Sequence, residues 1–248
     1  MDELNVKLIF PGCTRDSAEL ERVLMILESE PLFVPTHASP DERKRVPYDR
    51  AGAVDAMAKR FGGLQLWRTT APKYGGSLSA MDQSHNALAF DFAAPFRANQ
   101  LPDLFDAATR IADALKPEFG FVHMFWRKQE DSEEYNYGAH ISIRELATLG
   151  LNRAYARTWF GPDVARAVGE AELLALPETR RTPWGGIQLD LVAQPWTADL
   201  EALVRRQREV LDALRPLGVL GDYKGPPSLR KPAPKWPGLP WRIPRRGK

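Results

Sequence analysis

The chain of 248 residues is poor in cysteine and in long apolar runs. Cys13 is its one cysteine, so an internal disulfide is impossible and no cysteine cluster is available to hold zinc. The longest unbroken apolar stretch is Val23–Leu27, whereas a membrane-spanning helix needs about 20 residues. The amino terminus, Met-Asp-Glu, has neither the basic region nor the apolar segment of a secretory signal. These absences predict a cytoplasmic protein without a membrane partner.

The sequence also lacks several short motifs that mark common active sites. It has no phosphate-cradling GxGxxG or GxxxxGK[ST] pattern, no HExxH zinc motif and no GxSxG nucleophile elbow. The histidines do not lie at metal-ligand spacing from one another, and none has a carboxylate at a helpful offset; they are His37, His85, His123 and His140. We therefore predict that the protein is not an enzyme and that it binds no metal and no small-molecule cofactor.

Acidic residues are absent after Asp222, and this makes the charge distribution uneven. The whole chain has a formal charge of +2, but residues 224–248 carry +8 and residues 1–223 carry −6. The isoelectric point of 8.7 therefore reflects the tail rather than the body. Seven prolines exclude a regular helix or strand in the tail and predict an extended segment, which also holds Trp236 and Trp241. We predict a single domain over residues 1–223, followed by a basic tail, 224–248, that packs along the body or a partner.

Hydrophobic periodicity in the body predicts strands interleaved with helices. Strands are expected at 4–10, 64–67, 88–92, 119–126, 156–160 and 187–192. Helices are expected after an N-cap at Asp16 with Glu19 in capping-box position, near 50–61, from Pro102 towards Pro117, from Gly161 through Val168, and after an N-cap at Thr197. Residues 30–49 and 73–79 are predicted loops, the second because it contains Gly75-Gly76-Ser77. The pattern predicts an α+β fold, a mostly antiparallel sheet with helices packed on it and irregular loops.

An acidic cluster, Glu130–Glu134, follows the predicted strand at 119–126. One interpretation is a solvated loop, because runs of like charge usually face water. The other is a protein-binding epitope, since tyrosines supply rigid interface area and carboxylates steer a basic partner. The epitope hypothesis assigns partner contacts to Asp131, Glu133, Glu134, Tyr135 and Tyr137.

One stretch of the sequence carries a family resemblance. Residues 155–169 read Tyr-Ala-Arg-Thr-Trp-Phe-Gly-Pro-Asp-Val-Ala-Arg-Ala-Val-Gly, and Gly185-Gly186, a strand over Ile187–Val192 and a last helix containing Arg206-Gln207-Arg208 follow. This arrangement resembles bacterial immunity proteins of polymorphic-toxin systems, and most closely the immunity protein 52 family. The resemblance implies an inhibitor, without catalytic activity, of a co-encoded toxin, often a nuclease with a restriction-endonuclease-like fold, in the setting of type VI secretion.

Three hypotheses about function follow. The first is a cytoplasmic immunity protein that binds a cognate toxin or effector protein and occludes its active site or substrate groove. The second is an enzyme with a dispersed site that uses His123 or His140 with a carboxylate. The third is a nucleic-acid-binding accessory protein that uses the basic tail and its tryptophans. The acidic body disfavours nucleic acid as a partner, and we expect the first hypothesis to hold.

Overall fold

A computed structural model describes residues 1–58, 63–80, 84–97, 99–127, 132–136, 142–223, 225–239 and 241. The strands are β1 (Glu3–Pro11), β2 (His37–Ser39), β3 (Val46–Pro47), β4 (Gly63–Arg68), β5 (Tyr74–Ala80), β6 (His85–Ala93), β7 (Phe119–Phe125), β8 (Arg157–Phe160), β9 (Thr179–Arg181) and β10 (Ile187–Asp190). The helices are α1 (Ser17–Glu28), α2 (Arg50–Ala58), α3 (Gln100–Leu115), α4 (Ser132–Asn136), α5 (Ile143–Leu149), α6 (Pro162–Val168), α7 (Glu170–Leu174) and α8 (Leu200–Leu214). The predicted α+β class is confirmed.

The chain forms two compact units, Met1–Gly120 and Phe121–Lys248. We call these unit 1 and unit 2. The described part of the proline-rich tail belongs to unit 2. The prediction of one domain over residues 1–223 with a separate tail stays a prediction.

The sheet of unit 1 has the strand order β3-β2-β4-β5-β6-β1, with antiparallel pairing throughout. The register places Leu64, Leu78, Leu88 and Leu8 in one row across four strands. Side chains alternate between the two faces of a strand, so these leucines share a face, and all of them are buried. This face is the core side of the sheet in unit 1.

An aromatic cluster completes the core of unit 1. The Phe33 ring meets the rings of Phe90 and Phe92 edge-on at 5.0 and 5.2 Å, and the Tyr74 ring meets the same two at 4.9 and 5.2 Å. The Tyr74 hydroxyl donates a hydrogen bond to the Phe33 carbonyl oxygen at 2.6 Å. Edge-to-face contacts of this kind add to the stabilisation that burial provides.

The prediction of a loop at 73–79 was wrong for all but its first residue, because residues 74–79 lie in β5 and pair on both sides. Gly76 lies in the row between Leu66 and Phe90 on the core side. A Cβ at Gly76 would lie 2.7 Å from the Phe90 ring, so the missing side chain makes room for that ring. Glycine within a strand can mark such a close approach as well as a loop.

Two other local predictions need correction. The segment 30–49 is not wholly a loop, because β2 and β3 lie within it. Asp16 caps α1 as predicted, accepting a hydrogen bond from the Ala18 amide at 2.9 Å, but Glu19 pairs with Arg22 instead of closing a capping box. The last helix, α8, is capped by Asp199 rather than by Thr197.

In unit 2 the strands follow the order β7-β8-β10-β9. β10 pairs antiparallel with β8 and with β9. Arg157 and Asp190 face each other across β8 and β10, and the guanidinium donates two hydrogen bonds to the carboxylate, at 2.7 and 2.9 Å. Gln188 donates to the same carboxylate at 3.1 Å and accepts from the Trp159 indole at 3.1 Å. This buried network satisfies charges that would otherwise be costly.

The described part of the tail packs within unit 2. The amide of Ala233 donates to the Leu149 carbonyl oxygen, and the Trp236 indole and the Leu239 amide donate to the Ala147 carbonyl oxygen, at 2.8, 3.2 and 3.1 Å. These carbonyls lie at the end of α5, where a helix leaves its own acceptors unpaired. The described part of the tail thus caps α5.

Across the described ranges, none of the helices combines the length and the apolar character that a membrane crossing requires.

Candidate partner-binding surface

The short helix α4 carries the central part of the predicted epitope. Glu133 and Glu134 lie on it and are exposed. Asp131 and Tyr137, also assigned to the epitope, lie outside the described residues. We call the exposed side of α4, with Glu133 and Glu134, the α4 surface.

Tyr135 does not belong to the exposed side of α4, because its side chain is fully buried. Its ring stacks on the His123 ring at 4.5 Å between centroids and 20° between planes, and it meets the Trp126 ring edge-on at 5.6 Å. Burial also raises the pKa of the Tyr135 phenol. Tyr135 therefore anchors α4 in the core of unit 2, and the expectation that it offers contact area to a partner does not fit this position.

Arg153 contacts α4 from the buried side. Its guanidinium donates to the carbonyl oxygens of Tyr135 and Glu134, the latter at 3.0 Å, and lies 5.9 Å from the centre of the Tyr155 ring. Burial lowers the pKa of Arg153, because removing the charged guanidinium from water costs solvation free energy. The two hydrogen bonds go to carbonyls in the last turn of α4, which have no partners inside so short a helix.

A second arginine holds α4 at the surface. Arg208 of α8 donates to both carboxylate oxygens of Glu134, at 2.7 and 2.5 Å, with about half of each side chain exposed. This contact is the main reason why the pKa of Glu134 is lowered. Asn136 adds a third tie, from its side-chain amide to the Trp126 carbonyl oxygen at 2.7 Å.

The two glutamates of the α4 surface therefore differ. Glu134 forms an ion pair with Arg208, whereas Glu133 has no ion pair with any residue that the structure describes. The contacts of Arg153, Arg208 and Tyr135 hold the backbone of α4 in place, and the exposed Glu133 carboxylate on it can accept hydrogen bonds from a cationic group.

Sequence reasoning missed Arg153 and Arg208. Neither arginine lies near the acidic cluster in sequence: they follow Glu134 by 19 and 74 positions. No local pattern marks an arginine that will be buried under a distant helix. Arg208 was noted only within the Arg206-Gln207-Arg208 run.

The histidines do not form a site in the described parts of the chain. His123 is fully buried, with the Phe125 and Tyr155 rings edge-on to it at 4.7 and 5.5 Å. The His37 ring nitrogen Nδ1 lies 2.9 Å from the Thr36 hydroxyl. His140 lies outside the described residues. Within the ranges that the structure covers, no three His, Cys, Asp or Glu side chains come together as a metal site would require.

Comparison with known proteins gives one kind of match. No family model matches the chain, and no curated protein matches its sequence. Among solved structures, the chain is similar to the Pseudomonas aeruginosa T6SS protein PA0821, with 15% sequence identity, a TM-score of 0.59, and coverage of 86% of this chain and 76% of that one. At this identity the likeness shows a shared fold. Membership of the immunity protein 52 family is not confirmed.

Proposed function

We propose that this chain is an immunity protein that binds a cognate toxin and neutralises it by occluding the active site or substrate groove. The observation that carries the proposal is the fold shared over most of the chain with a protein of the type VI secretion system. The sequence at 155–169, which resembles immunity proteins of polymorphic-toxin systems, adds the more specific role. Membership of the immunity protein 52 family is part of this proposal.

The α4 surface supplies the chemistry of recognition. A nuclease must hold phosphates, and it does so with lysine and arginine side chains. Exposed carboxylates on a fixed helix are complementary to such a surface, and an acidic body of charge −6 raises the rate of encounter with it. Glu133 makes a direct contact in this proposal. Glu134 shares its carboxylate between Arg208 and the partner.

The proposed mechanism needs no catalysis by this chain and acts in the cytoplasm, where a nuclease toxin meets its substrate. The alternative of an enzyme centred on His123 has less support, because that ring lies in an aromatic cluster with no exposed surface. The proposal for the tail as a nucleic-acid-binding arm also has less support, since Arg230 forms an ion pair with Glu145 and Trp236 donates to a backbone carbonyl.

The test is co-expression with a candidate effector, taken as the product of the gene adjacent to the one for this chain. Cells that make the effector alone should stop growing, and the wild-type chain should restore growth. Glu133→Lys should weaken protection and lower the affinity of the purified pair by about tenfold, because a carboxylate that faces a cation becomes a repelled charge. We choose Glu133 because its change leaves the Glu134–Arg208 pair intact.

A matched control is Glu201→Lys, which makes the same charge change on α8 of the same unit at a side chain that is 85% exposed. This variant should protect like the wild type. Full protection by Glu133→Lys would remove the α4 surface from the proposal. Failure of the wild-type chain to bind or neutralise the effector would overturn the proposed function itself.

A further inference from the structure

Unit 1 contains a hollow that none of the preceding assignments uses. Its volume is about 380 Å³, and its lining includes Arg45, Trp67, Arg68, Lys73, Gly75 and Asp91. We call it the Gly75 hollow. Trp67, Gly75 and Asp91 lie on the face of the sheet opposite the leucine row, because they alternate along their strands with core-side residues. Arg68 and Tyr74, which pair with each other at the end of the β4–β5 hairpin, belong to the core side by the same register and also line the hollow.

The hollow exists because a side chain is missing from a cross-strand row. The register pairs Trp67 with Gly75 and Gly75 with Asp91, so the three residues lie side by side on neighbouring strands. A Cβ built at Gly75 would meet no atom within 4 Å. Trp67 and Asp91 therefore form two walls, and the backbone of Gly75 forms the floor. Gly76 is different, since its missing side chain is filled by the Phe90 ring.

The walls and the rim are mainly cationic and aromatic. The Arg45 guanidinium lies over the Trp67 ring at 5.5 Å from its centre. Arg68 donates from Nη1 to the Val34 carbonyl oxygen at 2.8 Å, while its buried Nε has no hydrogen-bond partner among the described residues. Lys73 is exposed in the turn that joins β4 to β5, directly before Tyr74. Against these three cations stands the single carboxylate of Asp91, which already accepts a hydrogen bond from the Asn5 side chain.

This combination suits one kind of ligand. Arginine and lysine recognise carboxylates, and an indole face accepts the apolar part of the same ligand. We propose that the Gly75 hollow is a docking site for an acidic segment of the protein partner, with a glutamate or aspartate side chain held by Arg45, Arg68 and Lys73. The identity of that partner as a toxin rests on the proposed function.

Charge favours a protein segment over nucleic acid. A bound nucleic acid runs along a stripe of cations, but Asp91 lies in a wall of this hollow and the body as a whole carries −6. Such a body repels a long polyanion, whereas one or two carboxylates in an otherwise mixed protein surface meet only the local cations. The Trp67 ring could also contact the apolar part of a peptide, which a free inorganic anion does not have.

The proposal can be tested with a variant whose side chain fills the hollow. Gly75 is not one of the glycines with a positive φ, so Gly75→Leu suits its backbone and its side chain enters empty space. Ser77→Val is the matched control, because Ser77 lies on the same strand and the same face but outside the hollow lining. Circular dichroism and thermal unfolding check that both variants fold like the wild type.

The first measurement uses the full-length protein and a labelled peptide of glutamates around one phenylalanine. We expect the wild type and Ser77→Val to bind it alike, and Gly75→Leu and Arg45→Glu to bind it at least about tenfold more weakly. A lysine version of the peptide should not bind. Equal affinity of Gly75→Leu and wild type, binding of a short DNA duplex in preference to the peptide, or displacement of the peptide by millimolar inorganic phosphate would each overturn the proposal.

The second measurement uses the same candidate effector as the co-expression test. If the wild type binds it and Gly75→Leu binds it as tightly, the docking proposal fails while the proposed function stands. If the wild type does not bind it, the proposed function fails, and the peptide measurement alone decides whether the hollow takes acidic segments.

Discussion

Replacing Arg153 with methionine should loosen α4 and, with it, the α4 surface. The variant keeps most of the apolar stem but removes the donors to the carbonyl oxygens of Tyr135 and Glu134. Leaving a buried carbonyl unpaired costs about 1–3 kcal/mol. Loss of the cation beside Tyr155 removes about 0.5–1 kcal/mol more. Relief of the desolvation that lowers the pKa of Arg153 offsets part of this, so we expect the free energy of unfolding to fall by about 2 kcal/mol.

Two measurements check the Arg153 prediction. Urea unfolding gives the change in the free energy of unfolding, and amide hydrogen exchange shows whether the loss is concentrated at α4. Arg153→Lys should fall between wild type and Arg153→Met, since an ammonium cannot fork to two carbonyls as a guanidinium does. Arg144→Met, at an exposed position of α5, should change the free energy of unfolding by less than about 0.5 kcal/mol.

An Arg153→Met protein with unchanged urea unfolding and unchanged exchange at α4 would show that Arg153 does not hold this helix. In that case Tyr135, Asn136 and the Glu134–Arg208 pair would hold the helix without Arg153. A loss of stability spread evenly over unit 2, with no excess at α4, would also contradict the role assigned to Arg153.

Two further predictions concern ion pairs. Asp190→Ala should lower the free energy of unfolding by about 3–5 kcal/mol in urea titrations, because it leaves the buried Arg157 charge without its partner. Adding Arg157→Met should restore part of this loss. A double variant no more stable than Asp190→Ala would contradict the prediction. The Glu134–Arg208 pair should give pH-dependent stability, present above the ordinary pKa of Glu134 of 4.5 and lost as the pH falls further, through the lowered pKa of the folded state. Since both side chains are about half exposed, Arg208→Ala should lower the free energy of unfolding by less than about 1 kcal/mol at neutral pH. Thermal unfolding of this variant from pH 7 to 3 should show a smaller acid-dependent loss of stability than in the wild type. An unchanged pH profile would argue against the pair.

Alternation of apolar residues was enough to predict the α+β class and most strands. It succeeded where one face of a strand is buried, as in β6, where Leu88, Phe90 and Phe92 face the core. It failed at β5, because glycine and serine carry no apolar signal and the reason for Gly76 is a phenylalanine on the next strand. β9 was also missed, since this short strand is polar and mostly exposed.

The candidate site was only partly predictable, for a related reason. The sequence shows that Glu133 and Glu134 are acidic and sit in a charged cluster, and such residues are usually exposed. It does not show that Tyr135 stacks on His123, because that contact depends on how a strand and a helix meet in space. The same holds for the Gly75 hollow, whose walls come from separate strands and whose floor is recognisable only when the register is known.

The capping of α5 by the tail has a consequence for synthesis on the ribosome. The Trp236 indole and the carbonyl it pairs with are 89 positions apart in the chain. During translation the carbonyl groups at the end of α5 therefore lack these hydrogen bonds until the residues around 233–239 have left the exit tunnel. Chains interrupted shortly before that point would contain α5 and lack this closure, which makes them candidates for chaperone capture or proteolysis.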